Sequence, residues 1–300
     1  MVRGIEKFKE HFKGFEGKYT LIGGVACGLL LDDAGLEFRG TQDFDIVLIV
    51  EAMDSLFGHA VWDFIKLGEY EIREKSNGEP KFYRFKNPKD DSFPKEIELF
   101  SRKNQVLKYD ETDRLTPIHI SDEISSLSAI LLNDEYYHFL NGGLREIAGV
   151  QLLNYTHIIP FKAKAWLDLK ARKEKDEHVD TRNITKHKND VFRLSQLITG
   201  DDMVVLCDEI KSDMTTFLVA MLEEDVDLKN LHIRGKKESI LEQVASVTIS
   251  NWVSQIQFDF ISHHINKEYK CKKSTIILDY FKEHRYSFLW GMLIGNSHIS

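Results

Sequence analysis

The first apolar pattern of the chain has the spacing of a helix. Apolar side chains recur every three or four positions between residues 4 and 15, which predicts an amphipathic helix. A short apolar segment at 19–22, a pair of glycines and an apolar run at 25–34 follow, and this order predicts a strand, a tight turn and a second helix. The apolar residues of the first helix are Ile5, Phe8, Phe12 and Phe15.

Strand-like patterns fill most of the next part of the chain. Residues 43–50 are β-branched and apolar between polar neighbours, so they predict a buried strand, and a helix is predicted over about 52–67. Two further strand-like runs, 81–86 and 96–101, flank a loop rich in turn residues, and this arrangement suits a hairpin.

The second half of the chain has a different pattern. Residues 125–153 mix short apolar runs with turn residues, which predicts irregular αβ structure. From about residue 158 the apolar spacing is helical, and it stays mostly helical afterwards. The chain is therefore predicted to be α+β, with its strands concentrated in the first half and a mainly helical C-terminal part.

Composition excludes several classes of protein. The chain has 300 residues, of which 42% are hydrophobic and 29% charged, so it is not disordered or of low complexity. Its three cysteines, Cys27, Cys207 and Cys271, match neither a disulfide framework nor a zinc site. No apolar stretch approaches the roughly 20 residues that a membrane span needs. We expect a cytoplasmic protein that does not enter a membrane.

Positive charge is concentrated in one segment. The whole chain carries a net charge of −8, which argues against indiscriminate binding to nucleic acid. Residues 162–193 nevertheless contain ten basic and six acidic side chains, so this segment is +4. A segment of this charge is compatible with contacts to an RNA backbone, although many proteins that bind no RNA have one.

The candidate chemistry lies between the first predicted strand and the strand at 43–50. Gly23 and Gly24 open a helix, where glycine permits positive φ and the free N–H groups favour an anion. Asp43 and Asp45 stand two residues apart on a strand, so both carboxylates project from one face while Phe44 points to the other. Two carboxylates at the start of an apolar strand suit a divalent metal, because without a cation their burial would be costly.

These residues resemble the nucleotidyltransferases of polymerase-beta-like fold. That family has Gly-Gly or Gly-Ser, a short helix, Asp-x-Asp on the next strand and a third carboxylate, usually Asp, on a later strand. Glu98 matches the third carboxylate best, since it alternates with apolar neighbours, and Glu96 is the second choice. The resemblance implies a mixed sheet with flanking helices, Mg²⁺ held by Asp43, Asp45 and Glu98, and a nucleoside triphosphate as donor.

A later stretch resembles a narrower family, the AbiEii/AbiGii toxins. The matching segments are FKAKAWLDLKAR at 161–172 and VDTRNITKHKNDVFRL at 179–194. In that family a Lys on one helix and an Asp on the next complete the active site. Asp190 matches the Asp, and Lys164 is favoured for the Lys with Lys162 close behind, because two helical steps turn about 200° and only one can face the cleft.

The residues that precede the Asp-x-Asp motif can be interpreted in two ways. Arg39 and Thr41 either support the metal loop and contact phosphate, or form structural hydrogen bonds. The resemblance as a whole covers roughly residues 20–200. It implies a nucleotidyltransferase core over 1–125, a region over 126–200 that completes the active site, and a helical region of unknown role over 201–300.

The resemblance implies an Mg²⁺-dependent enzyme that moves a nucleoside monophosphate to an acceptor hydroxyl. In the family this acceptor is typically the 3′ end of tRNA, and the enzyme is the toxin of a toxin–antitoxin or phage-defence system, so an antitoxin protein is an expected partner. Two alternatives stay open from the sequence: a nucleotidyltransferase for a small acceptor such as an antibiotic, and an inactive nucleotide-binding or protein-binding module.

Overall fold

A computed structural model describes residues 2–49, 54–72, 82–100, 130–175 and 179–248. The described residues all belong to one compact unit. Of the helical region predicted over 201–300, residues 249–300 lie outside the described residues.

Helices and strands alternate irregularly along the described chain. The helices are α1 Ile5–His11, α2 Gly23–Asp33, α3 Ser55–Leu67, α4 Asp134–Asn141, α5 Tyr155–Glu174, α6 Thr181–Leu194, α7 Asp208–Glu223 and α8 Lys237–Thr248. The strands are β1 Tyr19–Ile22, β2 Asp43–Leu48, β3 Glu71–Ile72, β4 Phe82–Lys86, β5 Glu96–Phe100, β6 Leu144–Ile147 and β7 Val150–Leu153.

The strands form one mixed sheet in the order β3-β4-β5-β2-β1-β7-β6. The pairs β5/β2 and β1/β7 are parallel, and the other neighbouring pairs are antiparallel. The predicted hairpin of β4 and β5 is confirmed, and so is the α+β class. Strand β7 comes from the second half of the chain, so the sheet joins parts of the sequence on both sides of residue 125.

Successive side chains of β2 point to opposite faces of the sheet and contact different neighbours. Phe44 is fully buried and lies against Phe8 of α1, with ring centroids 5.4 Å apart. Asp45, the next residue, lies on the other side of the sheet, against the start of α2. The predicted separation of the carboxylates from the apolar face of this strand is therefore confirmed.

An aromatic cluster fills the core on the Phe44 side. Phe8 lies at its centre, and its ring is within 6 Å of four other rings, which come from the residue after α1 and from β1, β2 and α3. These rings belong to Phe12, Tyr19, Phe44 and Phe64. One side chain of the first predicted helix thus ties three further elements together.

Helix α2 is buried along nearly its whole length between the sheet and the helices α5 and α6. Residues 23–31 are all buried, which explains why this helix has apolar residues all round and no polar face. The layer of α2, α5 and α6 covers the face of the sheet that carries Asp45.

The region predicted as irregular contains a helix and a hairpin. Strands β6 and β7 are joined by Ala148 and Gly149, both at positive φ, as a type I′ turn requires. Alanine rarely adopts such a φ, so the sequence carried no turn signal at this position. Residues 125–129 of the same predicted region lie outside the described residues.

Long apolar helices are absent from the described part of the chain. None of its helices is long and apolar enough to cross a membrane.

We predict that Phe8→Ala lowers the free energy of unfolding by about 3–5 kcal/mol, because it leaves a cavity at the centre of the aromatic cluster. Leu56→Ala is the control, since Leu56 is exposed on α3 and its loss should cost less than about 0.5 kcal/mol. Urea denaturation followed by circular dichroism measures both. Equal effects of the two substitutions would contradict the central place of Phe8.

Candidate active site

The turn from β1 into α2 brings the backbone of Gly23 close to the carboxylate of Asp45. Gly23 has φ +67°, a conformation that glycine adopts at little cost. A Cβ atom at this position would overlap Oδ2 of Asp45, which pairs with Ile22 across β1 and β2. No side chain caps the start of α2, so its first N–H groups have no partner within the helix, and the Asp45 carboxylate lies beside this turn.

Gly24 allows two side chains to approach the backbone closely at the same turn. A Cβ atom on Gly24 would lie 2.8 Å from Oγ1 of Thr41 and 3.5 Å from a terminal nitrogen of Arg39. Both side chains therefore lie against the first turn of α2, next to the Asp45 side of the sheet. The structure thus places Arg39 and Thr41, whose roles the sequence left open, beside the glycine turn.

Parallel pairing of β2 and β5 aligns the acidic residues. Asp45 is opposite Glu98 and Asp43 is opposite Glu96, so all four carboxylates lie on one face of the sheet. Asp45 is partly buried, and Asp43 is exposed. Burial and the nearby Glu98 carboxylate, which shares a hydrogen bond with Asp45, raise the pKa of Asp45 to about 7.

Arg84 on β4 partly balances this negative charge. Its Nε lies 2.8 Å from Oε1 of Glu98 and 3.0 Å from Oε1 of Glu96. Lys86 lies 3.3 Å from Glu96 as well. The sequence left the choice between the two glutamates open, and the register places Glu98, not Glu96, beside Asp45.

The carboxylates fit a divalent cation by their chemistry. No group of three or more His, Cys, Asp or Glu side chains in the described ranges is already arranged around a metal position. Asp45 and Glu98 nevertheless contact each other, and a bound cation would offset both the burial and the Glu98 charge that raise the pKa of Asp45. Asp43, Asp45 and Glu98 are the residues that would hold Mg²⁺, since hard oxygen ligands suit this ion.

A second charged cluster lies in the helical layer, centred on Asp190 of α6. Its carboxylate is completely buried and meets three cations. Nζ of Lys162 lies 2.9 Å from Oδ2, while Arg39 reaches Oδ1 at 3.2 Å and Oδ2 at 3.0 Å. Arg193 lies 3.5 Å from Oδ1. Burial alone would raise the pKa of Asp190, but Lys162 and Arg39 outweigh it and hold this pKa well below its usual range.

The two candidate lysines of α5 have different surroundings. Lys162 is completely buried beside Asp190, which raises its pKa against the opposite effect of burial. Lys164 is partly exposed and lies 3.2 Å from Asp168 and 3.5 Å from Asp213 on α7. The sequence favoured Lys164, whereas the structure brings Lys162 to Asp190, because only the buried face of α5 meets α6.

Lys186 is a residue of this site that the sequence analysis did not single out. It lies one turn before Asp190 on α6 and is partly buried. Burial, together with the positive charges of Lys162 and Arg39, lowers the pKa of Lys186. The sequence signal was its spacing of four from Asp190, which places both on one helical face.

We predict that Gly23→Ala lowers the free energy of unfolding by at least about 3 kcal/mol, because the methyl group would overlap the Asp45 carboxylate and the backbone would be strained. Gly35→Ala is a matched control. Gly35 has φ +70° but no neighbouring atom within 4 Å of a new Cβ, so only the strain of about 1–2 kcal/mol remains. Similar losses, measured by urea denaturation, would contradict the close approach.

We predict that Asp190→Asn costs about 3–5 kcal/mol of stability at pH 7, because it leaves Lys162 and Arg39 near a neutral amide. Asp168→Asn, which breaks a half-exposed ion pair, should cost less than about 1 kcal/mol.

The pH dependence gives a second check on Asp190. Since the folded state lowers the pKa of Asp190, its contribution is complete above the unfolded pKa of about 4 and is lost as the pH falls below it. The difference in stability between the wild type and Asp190→Asn should therefore shrink between about pH 4 and pH 2. A constant difference would contradict the ionised carboxylate.

Comparison with known proteins found no match to this chain. No protein-family model, no curated protein and no solved structure matches this chain.

Proposed function

We propose that this protein is a metal-dependent nucleotidyltransferase. The observation that carries the proposal is the contact between Asp45, its partner Glu98 and the glycine turn at the start of α2. This arrangement sets acidic groups for a metal beside uncapped backbone N–H groups for a phosphate. The cluster of positive side chains around Asp190 lies next to the same region, since Arg39 contacts Asp190 and also lies against Gly24.

The proposed reaction moves a nucleoside monophosphate. The oxygen of an acceptor hydroxyl attacks the α-phosphorus of a nucleoside triphosphate and forms a new P–O bond. The bond from this phosphorus to the oxygen that bridges to the β-phosphorus breaks, and pyrophosphate leaves with the electron pair. The proton of the hydroxyl passes to a carboxylate of the acidic cluster.

Each part of the site has a role in this proposal. Gly23 and Gly24 leave room for the triphosphate at the start of α2, and the positive end of the helix dipole favours its charge. Asp43, Asp45 and Glu98 would hold Mg²⁺, which when bound neutralises charge on the phosphates. Arg39 and Lys162 surround Asp190 and fix α6 against α2 and α5, so they position the site.

The acceptor is proposed from the family resemblance. In the AbiEii-type reading it is the 3′ end of tRNA, with a toxin–antitoxin or phage-defence role and an antitoxin partner. The structure adds one observation on charge, because Lys170 and Lys188 of the basic segment both pair with Glu224. The surface that remains for an RNA backbone is therefore less positive than the +4 segment charge indicates.

We predict that Asp45→Asn reduces nucleotide transfer at least about a hundredfold, because a metal ligand is lost. Folding should survive, since the amide removes the repulsion between Asp45 and Glu98. Asp32→Asn, at the exposed end of α2, is the control and should keep full activity. The assay supplies Mg²⁺, each α-labelled nucleoside triphosphate and total tRNA.

The outcomes separate the alternatives. Label on RNA that disappears only with Asp45→Asn supports the tRNA reading. Label on an aminoglycoside but not on RNA supports a small acceptor. No transfer to either, with nucleotide binding that Asp45→Asn leaves undiminished, would overturn the proposal in favour of an inactive module.

A further inference from the structure

Asp190 has no remaining capacity for a further cation. Each of its carboxylate oxygens already meets two positive groups: Oδ2 meets Lys162 and Arg39, and Oδ1 meets Arg39 and Arg193. The Lys162 ammonium is completely buried in this contact, as is the carboxylate. A substrate phosphate could reach Lys162 only by breaking an ion pair inside the protein, which is costly.

Lys186 differs from its neighbours in the same cluster. Within the described residues it has no hydrogen bond or ion pair, although it is partly buried. Arg39 and Arg193 both lie over the ring of Phe38 and contact Asp190, so their guanidinium groups are engaged. Among the described residues, Lys186 is therefore the cation of this cluster without a hydrogen bond or close ion pair, and Asp45 and Asp190 act on it only at longer range.

An unpaired and partly buried cation costs free energy in the folded protein. Lys162 and Arg39 increase this cost by repulsion: burial and these two charges lower the pKa of Lys186 more than Asp45 and Asp190 raise it. An arriving anion would relieve both effects. The position of Lys186 thus indicates a ligand with negative charge.

Three features border the place where this anion would bind. Lys186 lies one helical turn from Asp190, whose partner Arg39 lies against Gly24. Asp45 lies against Gly23 at the same uncapped start of α2. The anion would therefore have backbone N–H groups on one side and an ammonium group on the other. A chain of phosphates matches this arrangement better than a single carboxylate, because it can meet both groups at once.

We infer that Lys186 binds the polyphosphate of the donor nucleotide, while Lys162 is a positioning residue held by Asp190. This inference rests on the proposed function and changes the assignment made from the sequence, in which Lys164 or Lys162 completed the active site. It also predicts that replacing Lys162 and replacing Lys186 change the free energy of unfolding in opposite directions. Replacement of Lys162 removes a partner of a buried carboxylate, whereas replacement of Lys186 removes a partly buried cation that has no close ion pair among the described residues.

The test compares Lys186→Met with Lys162→Met in three measurements. Urea denaturation of the protein without ligand should show unchanged or higher stability for Lys186→Met and lower stability for Lys162→Met. Calorimetric titration with tripolyphosphate, without added metal, should show binding at least about tenfold weaker in Lys186→Met. The KM for the nucleoside triphosphate should rise in the same variant, and Lys186→Arg should restore most of the affinity.

Lys173→Met is the matched control. It removes one positive charge from the exposed surface of the same basic segment, so a general effect of charge would appear there too. Equal weakening of tripolyphosphate binding by Lys173→Met and Lys186→Met would overturn the inference.

Failure of the inference and failure of the proposed function give different results. Transfer activity with an unchanged KM in Lys186→Met overturns the role of Lys186 and leaves the enzyme proposal standing. Binding of tripolyphosphate that depends on Lys186, without transfer to any acceptor, supports the anion site and overturns the transferase. Lower stability of Lys186→Met, comparable to that of Lys162→Met, would show that Lys186 has a structural partner and overturn the inference.

Discussion

The buried carboxylate of Asp190 is the interaction on which the arrangement of the site depends. Its hydrogen bonds with Arg39 join residues 151 positions apart in the sequence, and its contact with Lys162 joins α6 to α5. Burial of a lone carboxylate would be prohibitive, so the three surrounding cations and Asp190 stabilise one another only in this geometry. The helical layer thereby takes a fixed position over the sheet.

The site combines two charge clusters of different origin. The sheet supplies the negative one, because parallel pairing of β2 and β5 places Asp45 opposite Glu98. The helices supply the positive one through α5, α6 and the loop that carries Arg39. Helix α2 starts between them, and its glycines allow the carboxylate and the backbone to approach closely. A triphosphate with a bound cation has charges of both signs, which is the complement of this surface.

Much of the fold could be predicted from local patterns. The strand at Tyr19–Ile22, the strand that starts at Asp43 and the pairing of β4 with β5 follow from apolar patterns, turn residues and the Gly-Gly turn, and the structure has all three. The hairpin of β6 and β7 could not be predicted, since its turn contains an alanine at positive φ. Tertiary pairing of β7 with β1 holds this turn in place, against the preference of the isolated segment.

The sequence by itself determined which residue types meet at the site. The spacing of Asp43 and Asp45 on a strand fixed their common face, and the glycine pair fixed the turn that they approach. Only the tertiary structure decided between Lys162 and Lys164, because the choice depends on which face of α5 packs against α6. The same holds for Lys186, because its proposed role depends on which cations already contact the Asp190 carboxylate. Local periodicity determines the direction of a side chain relative to its own element, whereas charge neutralisation depends on elements that are distant in the sequence.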